Sequence, residues 1–282
     1  MMRPQDLLSR PGRLLGLLIP LLLLVWWQLS AGGGGTVLPP PSKVLQVLLH
    51  PGSDLLASGS ILWSVSVSIS RIVLGFICAV AVGVPVGLAM GGSRFYRRLL
   101  SVIVEMARPL SAIALLPLSI IIFRGDSLAD LLGLRSLRYG RHILNELGLE
   151  MIFILFWGGV FPVILGTMQG VRSVRRMHLE VARVLGASRL HRFLHVMVPS
   201  ALPDIFHGLR LGIGRCWMVI IAAEMLPGTN SGIGYLLRYS YQLSRYDVML
   251  ACVVVIAIIG AFFSKGLEAL GERSLLLRSR ER

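Results

Sequence analysis

Long apolar segments recur along this chain and are separated by shorter basic or Gly-rich stretches. A helix of about 20 apolar residues is long enough to cross the hydrocarbon core of a bilayer. Inside that core the backbone must satisfy its own hydrogen bonds, and a helix does so within one segment. We therefore predict an all-α integral membrane protein with about six transmembrane helices. The predicted spans lie roughly at residues 14–27, 72–90, 99–123, 149–170, 205–226 and 247–267.

Composition supports the membrane class and narrows the range of partners. Hydrophobic residues make up 55% of the 282 residues, which is above the usage of soluble domains. The net charge of +14 comes almost wholly from arginine. In a membrane protein, such an excess is typical of cytoplasmic loops that face anionic lipid headgroups. No basic run is interleaved with aromatic residues, so nucleic acid is not a predicted partner. Cys78, Cys216 and Cys252 lie in apolar segments without paired spacing, which supports neither a disulfide framework nor a metal site.

The distribution of arginine predicts the orientation in the membrane. Arginines are concentrated at residues 94–98, at 171–204 and in the C-terminal tail, and the positive-inside bias places these segments in the cytoplasm. The first apolar run could be a secretory signal peptide, but it ends in Trp26 and Trp27, an interfacial pair that favours a membrane span. We expect both termini in the cytoplasm.

Two stretches interrupt the simple pattern of spans. Arg108-Pro109 and Pro117 fall within the third span, where proline removes a backbone donor, and they predict a kink or break. Residues 125–148 are mixed polar and Leu-rich, and they fit an external amphipathic helix or hairpin. This segment is either a tolerated external loop or a contact surface for a binding protein, and the sequence leaves both open.

The stretch at residues 177–203 is polar and Arg-rich although it lies between strongly apolar segments. Its pattern predicts two short helices, with Gly186 supplying the permissive backbone that ends the first. Ser188 can cap the second helix, and Pro199 is expected to stop it. A hairpin this short cannot bury itself alone. We predict that it lies at the water interface and presents one face to a partner.

The spacing within this hairpin resembles the EAA loop of bacterial ABC-importer permeases. That pattern has Glu-Ala-Ala, then a glycine, an aliphatic residue and a proline at fixed intervals. The matching residues here are Glu180, Ala182, Gly186, Val196 and Pro199. Val181 replaces the central alanine, and valine rather than isoleucine stands at 196. In that family the loop docks into a groove of the ATP-hydrolysing subunit, so the resemblance implies the same coupling role. The alternative is an ordinary amphipathic cytoplasmic hairpin.

The resemblance extends from about Arg71 to the C-terminus and is to the nitrate/sulfonate/taurine branch of these permeases. The motifs that carry it are Ser70-Arg71, Gly83-Val84-Pro85-Val86-Gly87-Leu88, Arg108-Pro109, Phe161-Pro162, Gly170-Val171-Arg172, Gly208-Leu209-Arg210, Ala223-Glu224-Met225 and Ser231-Gly232-Ile233-Gly234-Tyr235. The resemblance implies the fold of a type I ABC-importer permease, paired with a second permease copy as a homodimer in the bacterial cytoplasmic (inner) membrane. It also implies two kinds of partner: ABC ATPase subunits, which would hold ATP and Mg²⁺, and an extracytoplasmic solute-binding protein.

The chain divides into three predicted regions. Residues 1–54 hold an N-terminal cytoplasmic segment, the first span and an external linker. The permease core domain occupies residues 55–270 and includes the coupling loop at 177–203. Residues 271–282 form a basic cytoplasmic tail.

No catalytic constellation is present in the sequence. A phosphate-binding Gly-x-x-x-x-Gly-Lys-Ser/Thr loop is absent, so the chain is not expected to hydrolyse ATP or to act as an enzyme. No His-Glu-x-x-His zinc pattern occurs, and no metal or other cofactor is expected in this chain.

Charged residues within or near the spans are the remaining candidates for function, because charge is expensive in a membrane. They are Arg71, Glu105, Arg108, Arg210, Arg215 and Glu224. We single out Arg215, deep in the fifth span, Glu224 near its external end, and Arg108 as candidate residues of a translocation path or gate. The alternative is that such residues snorkel to the interface, or pair with each other and stabilise helix packing.

The resemblance implies the membrane subunit of an ATP-driven importer for a small anionic solute of the alkanesulfonate, taurine or nitrate class. Arginine in the path would suit such an anion. One alternative is the same machinery importing an aminopyrimidine-type precursor. Another is a membrane protein of a different class, either a secondary transporter or an enzyme that acts on lipid.

Overall fold

The computed structural model describes residues 10–32, 38–54, 56, 59–131, 133 and 142–279. These residues are nearly all helical, and the β-structure among them is one isolated bridge between Ser127 and Gly148. The helices are α1 (Arg10–Gly32), α2 (Pro41–Leu49), α3 (Ile61–Gly92), α4 (Arg94–Ala107), α5 (Leu116–Phe123), α6 (Leu128–Leu131), α7 (Ile143–Glu146), α8 (Leu149–Arg172), α9 (Arg176–Val184), α10 (Arg189–Arg192), α11 (Val198–Glu224), α12 (Ile233–Gln242) and α13 (Tyr246–Ser279). A 3₁₀ turn (Ile113–Leu115) precedes α5, and a π turn (Phe193–Met197) joins α10 to α11.

The prediction of an all-α membrane protein is confirmed. Four helical stretches among the described residues are long and apolar enough to cross a membrane: Ile61–Gly92, Leu149–Arg172, Arg189–Glu224 and Tyr246–Gly266. They match the second, fourth, fifth and sixth predicted spans. The first and third correspond to shorter apolar helical stretches at Leu18–Ala31 and Ile113–Phe123.

The second predicted span begins earlier than expected. The Ser-rich stretch before residue 72 and the span itself form one helix, α3, whose start at Ile61 is capped by the Ser60 hydroxyl accepting from the Trp63 amide at 3.2 Å. Serines inside α3 donate to carbonyls one turn back, as Ser70 does to Ser66 at 2.8 Å. Their hydroxyls are thereby satisfied within the helix, which is why they do not end it.

The third predicted span is broken, as expected at Arg108-Pro109. Helix α4 ends at Ala107, because the following proline lacks the N–H that would continue the ladder. The kink predicted at Pro117 is wrong, since this proline lies in the first turn of α5, where no N–H is needed. The third predicted span also begins earlier than residue 99, because residues 94–98 already belong to α4, which starts after a single linking residue.

Glycines bring the central helices into close contact. Helix α8 packs against α3 on one side and against α11 on the other. On α3, Gly83 and Gly87 face Val163 and Thr167 of α8. Without side chains at these positions the two backbones approach closely, which is the usual way that membrane helices associate.

Helix α2 follows the external linker predicted at residues 32–41 and packs in a core. Its Val44 and Val47 are buried with Leu236 of α12 and Ala251 of α13. The rest of the linker region at 33–37 lies outside the described residues.

A side chain at Gly87 should destabilise the packing of α3 on α8. A Cβ at this position would lie 2.6 Å from the Thr167 Cβ and 2.7 Å from the Ile164 carbonyl oxygen, so backbone would have to move. We expect Gly87→Val to lower stability by roughly 1–3 kcal/mol, as overpacking usually does, measured by thermal unfolding in detergent. Val82→Leu, on an exposed face of α3, is the matched control and should unfold like the parent. Equal melting temperatures for both variants would contradict the packing role.

Candidate functional site

The hairpin predicted at 177–203 forms around Gly186. Helix α9 ends in a Schellman motif, in which the Ala187 amide donates to the Ala182 carbonyl and the Gly186 amide donates to the Arg183 carbonyl, both at 3.0 Å. Gly186 has φ +77°, as its predicted role requires, and a Cβ there would meet nothing within 4 Å. The constraint on this position is therefore conformational rather than steric.

The second half of the hairpin starts as predicted but continues further. The Ser188 hydroxyl accepts from the His191 amide at 3.2 Å and caps α10. The stop predicted at Pro199 is wrong, because this proline lies in the first turn of α11 and the chain is helical from Arg189 to Glu224. Pro199 has no N–H to donate to the preceding turn. The π turn just before it, in which the Val198 amide donates to the Phe193 carbonyl, accommodates the missing bond.

The hairpin exposes an apolar face. Val184, Leu185 and Leu190 are 87%, 79% and 68% exposed. Of the other predicted coupling residues, Glu180 is exposed on α9, whereas Ala182, Val196 and Pro199 are half-buried. Large apolar side chains exposed close together in the sequence are typical of a protein interaction surface.

A cleft of about 640 Å³ lies between α8 and α11, next to the break after α4. Arg108 and Arg215 both line it, together with Gln169 and His207, and no carboxylate is among its lining residues. Among the described residues neither arginine has an ion-pair partner. The tertiary structure thus unites two of the three predicted path residues.

The third predicted path residue, Glu224, lies elsewhere. It is fully buried and forms an ion pair with Arg71, whose Nη1 donates to Oε1 at 2.8 Å. Glu224 thus has the geometry of the alternative considered above, in which charged residues pair and stabilise helix packing. Glu224 does not line the cleft. The partner Arg71 was a candidate by itself, but the sequence carried no signal that joined residues so far apart.

Four segments meet at this ion pair. Arg71 of α3 also donates through Nη2 to the Ser231 hydroxyl at 2.7 Å and through Nε to the Glu146 carbonyl at 2.8 Å. Ser68, one turn earlier, donates to Glu224 at 2.8 Å and accepts from the Ile233 amide at 3.0 Å. The network joins α3, α7, the end of α11 and the start of α12.

The segment at 125–148 closes on itself like a hairpin. The Leu128 amide donates to the Leu147 carbonyl at 2.9 Å, and the Leu149 amide donates to the Asp126 carbonyl at 3.0 Å. Residues 132 and 134–141 within it lie outside the described residues. Its role as a contact surface stays a prediction.

This helical membrane fold exposes a hairpin around Gly186 and carries a cleft lined by two arginines. Comparison with known proteins gives its class. Residues 72–273 match the model of the binding-protein-dependent transport system inner membrane component family, and the chain belongs to that family. It is a permease subunit of an ABC importer. The predicted family and the predicted absence of an enzymatic role are both confirmed.

Individual relatives agree with this assignment. The chain is 37% identical over 235 residues to a putative ABC transporter permease of Methanocaldococcus jannaschii, covering 83% of this chain and 80% of the relative. It is 35% identical over 214 residues to the taurine transport system permease of Escherichia coli, covering 75% and 70%. It is 30% identical over 198 residues to the nitrate import permease of Leptolyngbya laminosa, covering 70% and 63%.

A solved structure supports the fold alone. An inward-facing structure of the MetNI methionine ABC transporter aligns with a TM-score of 0.60 at 16% identity, covering 82% of this chain and 97% of that one. The predicted fold of the type I ABC-importer permeases is confirmed.

Proposed function

We propose that this permease moves a small anionic solute of the alkanesulfonate, taurine or nitrate class, delivered by an extracytoplasmic solute-binding protein. The observation that carries the proposal is the cleft, in which Arg108 and Arg215 stand without a carboxylate. An anion in a low-dielectric path is stabilised by such groups, and a cation is repelled. The taurine and nitrate relatives agree with this solute class. A cationic aminopyrimidine fits the cleft poorly.

The coupling part of the proposal rests on the hairpin. ATP and Mg²⁺ are held by partner ATPase subunits, and Glu180, Ala182, Gly186, Val196 and Pro199 shape the surface that docks on them. The exposed side chains of Val184, Leu185 and Leu190 fill an apolar groove of the ATPase, which explains their exposure in the isolated chain. ATP-dependent closure of the ATPase subunits then moves the hairpin and drives alternating access.

A second copy of the permease covers the cleft. Arg215 lies about 14 Å along the axis of α11 from Glu224 at the usual helical rise, well inside the span. Its side chain is exposed in the single chain. An arginine at this depth is not stable against lipid, so we assign its face to a homodimer interface that encloses the path. Lipid contacts the outer helices.

Orientation and domain limits follow from the same proposal. The hairpin lies in the cytoplasm with its ATPase, and so do both chain termini of this multi-pass protein of the cytoplasmic membrane. We propose residues 55–270 as the permease core and 271–282 as a basic tail, and α2 within the N-terminal region 1–54 packs with the core.

Affinity purification from the native membrane tests the proposal. A stoichiometric ATPase and a solute-binding protein are expected, and that binding protein should bind taurine or nitrate more tightly than an aminopyrimidine. Absence of any ATPase in mild detergent would contradict the coupling role. Preference of the binding protein for the aminopyrimidine would contradict the solute class.

A further inference from the structure

One continuous helical stretch joins the coupling hairpin to the buried ion pair. It runs 36 residues from Arg189 to Glu224, which corresponds to about 54 Å. The hairpin lies at its first end and Glu224 at its last. A movement of the hairpin therefore shifts the first end of this helical stretch, and the hydrogen-bond network around Glu224 holds the other end.

The position of Glu224 is unfavourable unless its partners are in place. A carboxylate at the C-terminal end of a helix opposes the helix dipole, and a fully buried carboxylate without partners is strongly disfavoured. Here Arg71 supplies the opposite charge, and the Gly234 amide at the N-terminal end of α12 donates to Oε2 at 3.0 Å. The N-terminal end of the α12 dipole stabilises the Glu224 carboxylate and thus offsets the unfavourable C-terminal end of the α11 dipole.

This arrangement positions α12 closely. Gly232 has φ +107°, and a Cβ there would collide with the Glu224 carboxyl group. A Cβ at Gly234 would lie 2.5 Å from the Ile221 carbonyl oxygen. The start of α12 therefore rests directly on α11, with Gly232 against the Glu224 carboxyl group and Gly234 against the α11 backbone.

We infer that Arg71 and Glu224 are positioning residues that lock α3, α11 and the start of α12 into one rigid body, so that movement of the coupling hairpin is carried to α12 at the opposite end of α11. Separating the pair would leave two buried charges without an opposite charge beside them, which is strongly destabilising. The joint therefore stays closed while the body moves. The inference rests on the proposed coupling to an ATPase.

A labelling experiment on the full complex tests this without knowledge of the solute. The probe is a membrane-impermeant maleimide directed at Tyr235→Cys on α12, in a background carrying Cys78→Ser. Cys216 and Cys252 are fully buried and need no replacement. We expect the labelling rate to change at least about fivefold when ATP binds, which is the lower range of usual coupling factors.

The decisive variant replaces both members of the pair, as Arg71→Met with Glu224→Leu. Apolar replacement of a whole buried pair usually preserves folding, so ATPase association and melting temperature should match the parent. The ATP-dependent change in labelling should disappear. Two results would overturn the inference. One is a labelling rate in the parent that does not change with ATP. The other is an ATP-dependent change in the double variant that equals that of the parent.

Two further variants separate positioning from stability. Arg245 and Asp247 form an ion pair at 2.9 Å that is 43% and 22% exposed, and Asp247→Asn should leave the response intact. If the double variant does not assemble with the ATPase, Ser68→Ala provides the test. This variant keeps the ion pair but removes the hydroxyl that joins Glu224 to the Ile233 amide. It should weaken the response, and a parental response would overturn the inference. Failure to recover any ATPase with the parent would instead contradict the proposed function.

Discussion

Gly186→Val is expected to abolish both ATPase association and transport while membrane insertion stays normal. Valine is β-branched, and its presence at φ +77° is a severe backbone outlier. The left-handed conformation disfavours an L-residue by roughly 1–2 kcal/mol, so the Schellman motif should open and α10 should change direction relative to α9. The exposed apolar face of the hairpin would then no longer match the ATPase groove. Co-purification of the ATPase with the variant measures the effect.

Controls separate this effect from general backbone strain. Gly125 has φ +72° and open space around it but lies far from the hairpin in the chain, so Gly125→Val should retain ATPase association. Gly186→Asn should retain much of it, because asparagine tolerates this conformation. Normal recruitment of the ATPase by Gly186→Val would contradict the coupling role of the hairpin.

Arg215→Leu is expected to reduce transport about 10- to 100-fold, which corresponds to the loss of one charge-assisted hydrogen bond to the anion. ATPase association and hydrolysis should stay near parental, since Arg215 lies on α11 away from the hairpin. The measurement is solute uptake into proteoliposomes and ATP hydrolysis in the same preparation. The amount of solute taken up per ATP hydrolysed should fall in the variant. The maximal rate should fall and the apparent affinity should not, because the binding protein sets the latter.

Arg215→Lys is the matched control, since it keeps the positive charge and should retain most of the transport. Arg108→Leu should act in the same direction, because Arg108 lines the same cleft. Full transport by Arg215→Leu would exclude Arg215 from the path. Loss of ATPase association together with transport would assign it a structural role instead.

Local features of the chain were predictable because each depends on neighbouring residues. The apolar segments gave the membrane class, and Gly186 and Ser188 gave the turn and the cap of the hairpin. The break at Arg108-Pro109 followed from the missing proline amide. Even so, local reasoning failed at Pro199, where the π turn just before it keeps the helix continuous.

By itself, the sequence determined that this chain is a helical membrane protein with a hairpin that turns at Gly186, because hydropathy and turn chemistry act over one or two helical turns. The tertiary structure alone decided that Glu224 pairs with Arg71, 153 residues away, and that Arg108 and Arg215 share one cleft. Both depend on which helices pack together, and that packing is set by the glycine contacts of α8 with α3 and α11. Such contacts join residues that are distant in the chain, so no local sequence pattern predicts them.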